Sequence, residues 1–388
     1  MSEKDNTELK PAEENPWYVL ATLYGEPSST DYMEDRWLKE NTEINKLNRE
    51  SWNNYFNTGH KNQKFIDEIS EKFAKRTKVH LPNPYNEIDF SGTHFRKGLN
   101  LSGFVLPKIR FEGSVFEDGL LLKGAKFTTQ ARFNGVQLKG NNDFYEAYFS
   151  EYVDFTNATF ADNKISRFFL TIFKGGVEFS DAKFCHQLLF LNCIFEQSCN
   201  FTNTKFRKHY PNFTNTILRE KITISAKEEC WPDPKNCKQN PEEAKATCEV
   251  LREQMEAQGL HEQAHFFFRH EMHFARKTGS FWQAIPNWFF YFLSDYGYSI
   301  LRPVLGLLSC WITGALIYFD TTKLTFGGAM GLSVSNLLQI TGLQRVYWSD
   351  FIECLPWGLK FLGGLQTLLA IPLLFLLLLG LRNRFRLK

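Results

Sequence analysis

The sequence predicts a mainly β fold, a β-solenoid, followed by an α-helical neck and a hairpin of two transmembrane helices. Two observations predict it. Large apolar residues, mostly Phe, recur every five or six positions through the middle of the 388-residue chain, a period that fits neither an α-helix nor an alternating strand. Two runs without a charged residue lie in the last quarter of the chain, and each is about long enough to span a bilayer.

The N-terminal region is predicted to contain a tail and a cap. Residues 1–16 are polar and charged, a composition typical of disorder. They contain no apolar stretch, so no cleavable secretory signal is predicted and the first domain is expected in the cytoplasm. Residues 17–87 include a Trp-rich stretch that ends near Trp52, which we interpret as a helical region capping the solenoid.

The repeat over 88–218 defines the solenoid. Sides of five, six, five and six residues give 22 residues per coil and about six coils. Stacked coils would pair their backbones at about 4.8 Å and stack Phe on Phe along a common axis. The predicted solenoid core includes Phe127, Phe133, Phe144, Phe149, Phe155, Phe160, Phe179, Phe184, Phe190, Phe195, Phe201 and Phe206.

A small residue stands two places before many of these large ones, as at Ala125, Ala158 and Ala182. This pattern resembles the pentapeptide-repeat family, and the resemblance implies a right-handed quadrilateral pentapeptide-repeat β-helix over 88–218. The family step is a strict five, so we interpret the additional residue of each six as a corner bulge. Some members of the family mimic duplex DNA, which requires a strongly negative surface. Residues 88–218 hold 15 Lys and Arg against 12 Asp and Glu, so no such mimicry and no nucleic-acid partner is expected.

Residues 219–240 are predicted to be a linker, and 241–299 a helical neck that ends in an interfacial aromatic helix. Gly259 interrupts the apolar stripe of the neck. The residues after it, His261, Glu262 and His265, form an H-E-x-x-H motif, which on a helix has the geometry of a zinc hydrolase site. The candidates for a third ligand, His270, Glu271 and His273, are closer in sequence than the usual distal ligand. We therefore favour a histidine-bearing amphipathic helix, with no catalytic residue, metal or cofactor, and keep zinc hydrolysis as an alternative. The eight cysteines contain no paired C-x-x-C motif and are predicted to be reduced.

The region 300–388 is predicted to cross a lipid bilayer twice, through 303–319 and 361–381. Aromatic residues of 281–299 precede the first span, as in an interfacial belt. Cations after the second span should orient it with its end in the cytoplasm; they are Arg382, Arg384, Arg386 and Lys388. Two spans return the chain to its starting side, so the solenoid and both termini are expected to be cytoplasmic. The resemblance implies a multi-pass protein of the bacterial inner membrane.

The segment 328–343 is apolar and too short to span, and we interpret it as re-entrant. The layout is similar to that of two-transmembrane pore-loop channels, whose pore is completed by oligomerisation. Thr341 and Gly342 are all that matches the T-V-G-Y-G filter of potassium channels, so potassium selectivity is not predicted. The pore-lining candidates are Ser333, Ser335, Asn336, Gln339 and Thr341.

The predicted function is therefore a homo-oligomeric, ion-channel-like pore that passes inorganic ions, with a cytoplasmic solenoid that senses or docks a protein partner. The alternative is a membrane-tethered scaffold that binds a protein partner through the solenoid and conducts nothing. Re-entrant polar residues favour the pore, because a simple anchor does not need them. The exposed Asn, Thr and Lys side chains of the repeat favour the scaffold.

Overall fold

A computed structural model of the protein describes residues 9–26, 35–58, 61–161, 165–279 and 281–385. The chain divides into two compact units, Met1–Phe274 and Ala275–Lys388. The first unit is a β-solenoid of about six turns with helices at its two ends, and the second unit is helical. The predicted fold class is thereby confirmed, whereas the right-handed coiling and the quadrilateral cross-section stay predictions.

The strands of the solenoid are short, as expected for the flat sides of a coil. In chain order they are β1 (Lys10–Pro11), β2 (Ile88–Asp89), β3 (Thr93–Phe95), β4 (Leu99–Asn100), β5 (Val105–Leu106), β6 (Ile109–Arg110), β7 (Val115–Phe116), β8 (Gly119–Leu121), β9 (Lys126–Phe127), β10 (Ala131–Arg132), β11 (Gln137–Leu138), β12 (Asn141–Asp143), β13 (Tyr148–Phe149), β14 (Val153–Asp154), β15 (Thr159–Phe160), β16 (Ser166–Phe169), β17 (Ile172–Phe173), β18 (Val177–Glu178), β19 (Lys183–Phe184), β20 (Leu188–Leu191), β21 (Ile194–Phe195), β22 (Cys199–Phe201), β23 (Lys205–Phe206), β24 (Ile217–Leu218) and β25 (Ile222–Ile224).

Each side of the coil stacks into its own parallel sheet. The four sheets have the orders β1-β3-β7-β11-β15-β19-β23, β2-β6-β10-β14-β18-β22-β25, β4-β8-β12-β16-β20 and β5-β9-β13-β17-β21-β24. Ala131 pairs with Val153, and Val177 pairs with Cys199, so partners in these successive turns are 22 residues apart. Every coil thus satisfies the backbone groups of its neighbours, which isolated coils could not do.

Aromatic rings fill the axis of the solenoid. Phe155 lies between Phe133 and Phe179, with ring centroids 4.6 and 4.9 Å apart and nearly parallel planes. The twelve predicted core phenylalanines are each at most 2% exposed. Phe155 and Phe179 are 24 rather than 22 positions apart, because the stretch between β15 and β16 is two residues longer than its counterpart in the preceding coil. The strand pairs that follow on the next coil keep the 22-residue register.

The corners are set by residues that accept a left-handed backbone. Two places after core phenylalanines, Gly135, Asn157 and Asp181 have φ values of 68°, 59° and 57°, a conformation that Gly, Asn and Asp adopt most readily. Asp154 supports the turn, because its Oδ1 accepts a hydrogen bond of 2.8 Å from the Thr156 N–H. These turns explain why small polar residues recur between the large apolar ones.

The N-terminal end of the solenoid is covered by helices α1 (Pro16–Ala21), α2 (Asp35–Thr58) and α3 (Gln63–Ala74). The Trp52 indole N–H donates to the Val105 carbonyl at 2.9 Å, and its ring lies 5.5 Å from that of Phe104. β1 adds a strand beside β3. The tail predicted to be disordered over 1–16 is therefore structured from Lys10 onward, because that backbone pairs with an open sheet edge; residues 1–8 lie outside the described part.

The other end of the solenoid is covered by the neck, which consists of α4 (Pro241–Ala257) and α5 (His261–Thr278). Gly259, at φ 72°, separates the two helices. Trp231 lies 4.8 Å from Phe206 and 5.1 Å from Phe267, so it joins the last coil to the neck. The predicted linker 219–240 instead contains β25, a 3-10 helix at Glu228–Cys230 and this buried Trp. The solenoid accordingly continues past 218 to Ile224.

The second unit contains α6 (Phe281–Ser294), α7 (Leu301–Thr321), α8 (Phe326–Leu337), a 3-10 turn at Gln339–Thr341, α9 (Leu343–Tyr347), α10 (Ser349–Glu353) and α11 (Trp357–Phe385). α7 and α11 are long and apolar enough to cross a membrane. Only 17% and 28% of their most apolar windows are buried, whereas the core helix of a soluble domain would be mostly buried. Their uncovered faces are therefore apolar surfaces that water would not favour.

Candidate functional site

The candidate site is centred on α8, the short helix between the two long ones. Thr325 caps its first turn, since its Oγ1 accepts a hydrogen bond of 3.2 Å from the Gly328 N–H. The helix has 12 residues, which corresponds to about 18 Å of length and is too short to cross a hydrocarbon core. The segment predicted to be re-entrant, 328–343, is thus a helix and the turn that follows it.

Gln366 of α11 lies at the centre of a buried polar network. Its Nε2 donates to the Cys310 carbonyl at 3.0 Å and to Ser333 Oγ at 2.8 Å. Its Oε1 accepts from Asn336 Nδ2 at 3.1 Å. A Cβ at Gly314 would lie 1.7 Å from Gln366 Nε2, so glycine at this position of α7 leaves the space that the amide occupies. One side chain of α11 thereby binds both α7 and α8.

Further hydrogen bonds extend the network to all three helices. Asn336 Nδ2 also donates to the Tyr318 hydroxyl at 3.0 Å, and that hydroxyl donates to the Leu359 carbonyl at 3.2 Å. Ser333 Oγ donates to the Trp311 carbonyl at 2.8 Å, and Thr367 Oγ1 donates to the Asn336 carbonyl at 2.8 Å. Polar groups that are buried away from water need hydrogen-bond partners within the protein. The network meets that requirement and fixes α8 between α7 and α11.

The structure separates the five predicted pore-lining residues into two groups. Ser333, Ser335 and Asn336 are at most 2% exposed, and their side chains bond within the chain. Gln339 and Thr341 are exposed in the turn after α8, which Gly342 ends at φ 76°. Of the five, only these two side chains are exposed to solvent or to another copy of the chain, and the Thr341 hydroxyl also donates to the Leu338 carbonyl at 2.6 Å.

Among the members of the network that were not predicted site residues, Tyr318 and Gln366 are the most buried. Each is a polar side chain inside a long apolar run, and each is nearly fully buried, with 1% and 4% exposure. A polar residue within a predicted span is a functional or packing signal by itself. That signal in the sequence could have identified Gln366 in advance.

The H-E-x-x-H residues occupy the first turns of α5. His261 and Glu262 are exposed, and His265 is partly buried. Of the candidates for a third ligand, Glu271 pairs with Arg252 at 2.8 Å and His270 Nδ1 lies 3.2 Å from the Tyr210 hydroxyl. Within the described residues no three His, Cys, Asp or Glu side chains are grouped closely enough to hold a metal ion. The neighbouring Ala264, Phe267 and Phe274 pack in the core, so this stretch has a clear packing role.

The described part of the chain contains all eight cysteines, and it contains no disulfide. Burial raises the pKa of the Cys193 thiol to about 12. Burial also holds the pKa values of Cys199 and Cys248 well above the usual value of a thiol. Since the thiolate is the reactive form, these three side chains act as small apolar groups of the core.

A surface cleft of about 450 Å³ lies along one corner of the solenoid. It exists where Gly175 and Gly176 supply no side chains, and Tyr152, Glu151 and Glu178 line it. Burial first, and then the carboxylates of Asp154 and Glu178, raise the pKa of Tyr152 to about 12. The Tyr152 phenol therefore stays protonated at neutral pH and keeps its hydrogen-bond donor.

Of the predicted membrane-orienting cations, Arg382 and Arg384 lie in the last turns of α11. Arg386 and Lys388 lie outside the described residues. The last turns are attached to the loop before α7, because Asn383 Nδ2 donates to the Gly297 carbonyl at 3.2 Å.

Comparison of the chain with known protein families, with curated proteins and with solved structures finds no match.

Proposed function

We propose that this protein is a membrane-anchored repeat protein whose second unit is one subunit of a homo-oligomeric, channel-like pore. The observation that carries the proposal is the placement of α8. A helix too short to span is fixed between two span-length helices by a buried polar network, and it ends in a polar turn that remains exposed. A simple membrane anchor requires neither the short helix nor the turn.

The pore would form around the turn that carries Gln339 and Thr341. Two spans and one short helix per chain are too few to enclose a channel, so several copies are needed. Polar side chains and the carbonyl groups at the end of α8 would then replace water around an inorganic ion. The apolar faces of α7 and α11 would contact lipid or neighbouring copies; they include Leu305, Ile312, Phe361 and Leu368, which are all more than 40% exposed.

The solenoid would serve as the sensing or docking domain for a protein partner. In the proposed topology the solenoid and both termini lie in the cytoplasm of a bacterial cell, and the spans cross its inner membrane. The cations are more numerous at one end of the spans, and this excess supports the orientation. Arg276, Lys277, Arg302, Arg382 and Arg384 lie at the end assigned to the cytoplasm, whereas Lys323, Arg345 and Lys360 lie at the other. In this proposal a side chain of the partner enters the cleft at Gly175 and Gly176.

The second candidate function is a membrane-tethered scaffold that binds its partner through the solenoid and conducts nothing. The burial of Ser333, Ser335 and Asn336 favours it, because these polar groups are used within one chain. In that case the network would only make the anchor rigid. The two candidates therefore differ in what Gln339 and Thr341 contact.

Currents across planar bilayers test the proposal. We expect the purified full-length protein to give discrete conductance steps, and Gln339→Leu with Thr341→Val to abolish them or change their size, because the polar lining would become apolar. Thr313→Val is the matched control, since Thr313 is exposed on α7 and its hydroxyl bonds to the Ser309 carbonyl of its own helix. Asn336 is unsuitable for this test because its replacement would break the buried network.

The oligomeric state is measured on the same samples. A correctly assembled oligomer that gives no current would contradict the pore and support the scaffold. A change of current in the Thr313→Val control as large as that in the double variant would also contradict the assignment of the lining.

A further inference from the structure

Two arginines from different helices lie against a single aromatic ring in the second unit. The guanidinium carbon of Arg276 is 4.5 Å from the centroid of the Tyr291 ring, and that of Arg302 is 5.4 Å from the same centroid. The two cationic groups therefore share one neighbour, although 26 positions separate them in the sequence. An anion bound near both groups would offset the repulsion between their like charges.

The position of both arginines is fixed by further contacts. Arg302 Nη1 donates to the Tyr291 carbonyl at 2.8 Å, and its backbone N–H donates to Ser299 Oγ at 3.3 Å. Arg276 also lies 5.7 Å from the ring of Tyr296, which is 2% exposed. These contacts hold the two guanidinium groups beside the start of α7 instead of leaving them to move in solvent.

The end of α11 brings more positive charge to the same place. Asn383 bonds to the Gly297 carbonyl, and a Cβ on Gly380 would lie 3.3 Å from the Ile300 side chain. The last turns of α11, with Arg382 and Arg384, therefore pack against the loop between α6 and α7. The two stretches that meet here, 275–302 and 376–385, hold five Lys and Arg and one carboxylate, that of Asp295.

Exposed aromatic side chains adjoin this cationic end. Trp288 and Phe292 of α6 are 56% and 61% exposed, and their rings stack in parallel planes 5.7 Å apart. Large aromatic residues with this exposure are typical of the level at which the acyl chains of a bilayer meet its headgroups. The cations and the aromatic rings together have the composition of a headgroup-level surface.

We propose that the end of the second unit formed by Arg276, Arg302 and the last turn of α11 binds the phosphate of an anionic phospholipid. Guanidinium groups bind phosphate oxygens through paired, charge-assisted hydrogen bonds, and basic pockets between membrane helices bind anionic headgroups. The inference rests on the membrane anchoring in the proposed function and is independent of conduction. The stacked Trp288 and Phe292 would contact the acyl chains of the same lipid.

Lipid titration of the full-length protein in a zwitterionic detergent tests this site. The probes are phosphatidylglycerol, phosphatidylcholine and inorganic phosphate, and binding is measured by the shift of the thermal unfolding temperature. We expect phosphatidylglycerol to stabilise the protein, and Arg276→Gln with Arg302→Gln to weaken its apparent affinity about 10- to 30-fold, since each cation near an anionic surface contributes about 1 kcal/mol. Lys323→Gln with Arg345→Gln removes the same charge from exposed positions between the two long helices and should leave the affinity unchanged.

Three results would overturn the inference. They are equal stabilisation by phosphatidylglycerol and phosphatidylcholine, equal loss of affinity in both double variants, and stabilisation by inorganic phosphate as strong as that by the lipid. Fractionation of expressing cells distinguishes these three results from a failure of the proposed function. Protein that sediments with membranes but shows no lipid preference contradicts only the headgroup site, whereas protein in the soluble fraction contradicts the anchoring itself.

Discussion

Replacing Gly175 by Ala should destabilise the solenoid by about 3 kcal/mol, because there is no space for a methyl group between two stacked coils. A Cβ at this position would lie 2.2 Å from the carbonyl carbon of Glu151 and 2.5 Å from the Tyr152 nitrogen. Both are backbone atoms of the preceding coil, so they cannot turn away as a side chain could. The coils would have to separate locally and weaken the parallel pairing of β14 with β18.

The same substitution at Gly176 is a matched control. Its Cβ would lie 3.5 Å from a ring carbon of Tyr152 and 3.6 Å from the Ser198 carbonyl oxygen, which are ordinary contact distances. We expect Gly176→Ala to change the stability by no more than about 0.5 kcal/mol. Thermal unfolding of the full chain is monitored by the circular dichroism signal of its β-strands. The unfolding temperature should fall by about 6 °C or more for Gly175→Ala only. Equal melting temperatures for the two variants would contradict the stacking of the coils.

Replacing Gln366 by Leu should destabilise the second unit by about 2 kcal/mol, because it removes the central member of the buried network. The Cys310 carbonyl would lose the hydrogen bond from Gln366 Nε2, and Asn336 would lose one of its acceptors. Leucine has a similar volume, so the loss of hydrogen bonds and not a cavity would cause the effect. The positioning of α8 should loosen as a result.

Gln344→Leu is the control for this prediction, since Gln344 contributes a longer hydrogen bond, 3.3 Å, from its Nε2 to Asn336 Oδ1 at the edge of the network. Unfolding in mixed micelles, monitored by tryptophan fluorescence, compares the two variants. A Gln366→Leu protein as stable as the Gln344→Leu protein would show that the network does not hold the three helices together. The proposed function would then lose the observation that carries it.

The solenoid was predictable because the residues that define each coil recur at a regular spacing along the sequence. One large apolar residue marks each side of a coil, as at Phe127, Phe133 and Leu138, and this spacing sets both the core and the 22-residue coil. Gly, Asn or Asp in the corners follows the same period, as at Gly135 and Asn157. A one-dimensional repeat of this kind fixes which residues stack before any long-range contact is known.

The two ends of the solenoid could not be predicted in the same way. Lys10 pairs with Thr93 and Trp231 packs on Phe206, and neither contact belongs to the repeat. Both segments cover a coil that has no further neighbour, so their structure depends on an exposed sheet edge and an open apolar end. Residues 10–16 of the polar tail and the predicted linker are therefore more ordered than their composition indicates.

The long apolar helices of the second unit were predictable from the sequence, and their polar contacts were not. Hydropathy alone identifies α7 and α11, and the gap between them identifies α8. The bond from Gln366 to Ser333 joins residues 33 positions apart, and no local pattern encodes it. For this reason the sequence pattern predicts that Ser333 and Asn336 line a pore, whereas in the structure their side chains form hydrogen bonds within the chain.

Protease protection in sealed, inside-out membrane vesicles tests the proposed membrane topology. In that topology α7 and α11 both cross the bilayer, so that the solenoid and the C-terminal end lie on one face. With an epitope tag after Lys388, we expect added protease to digest the solenoid and remove the tag, while a fragment containing 301–385 is protected. Digestion of the solenoid with retention of the tag, or digestion of the whole chain without a protected fragment, would contradict the account.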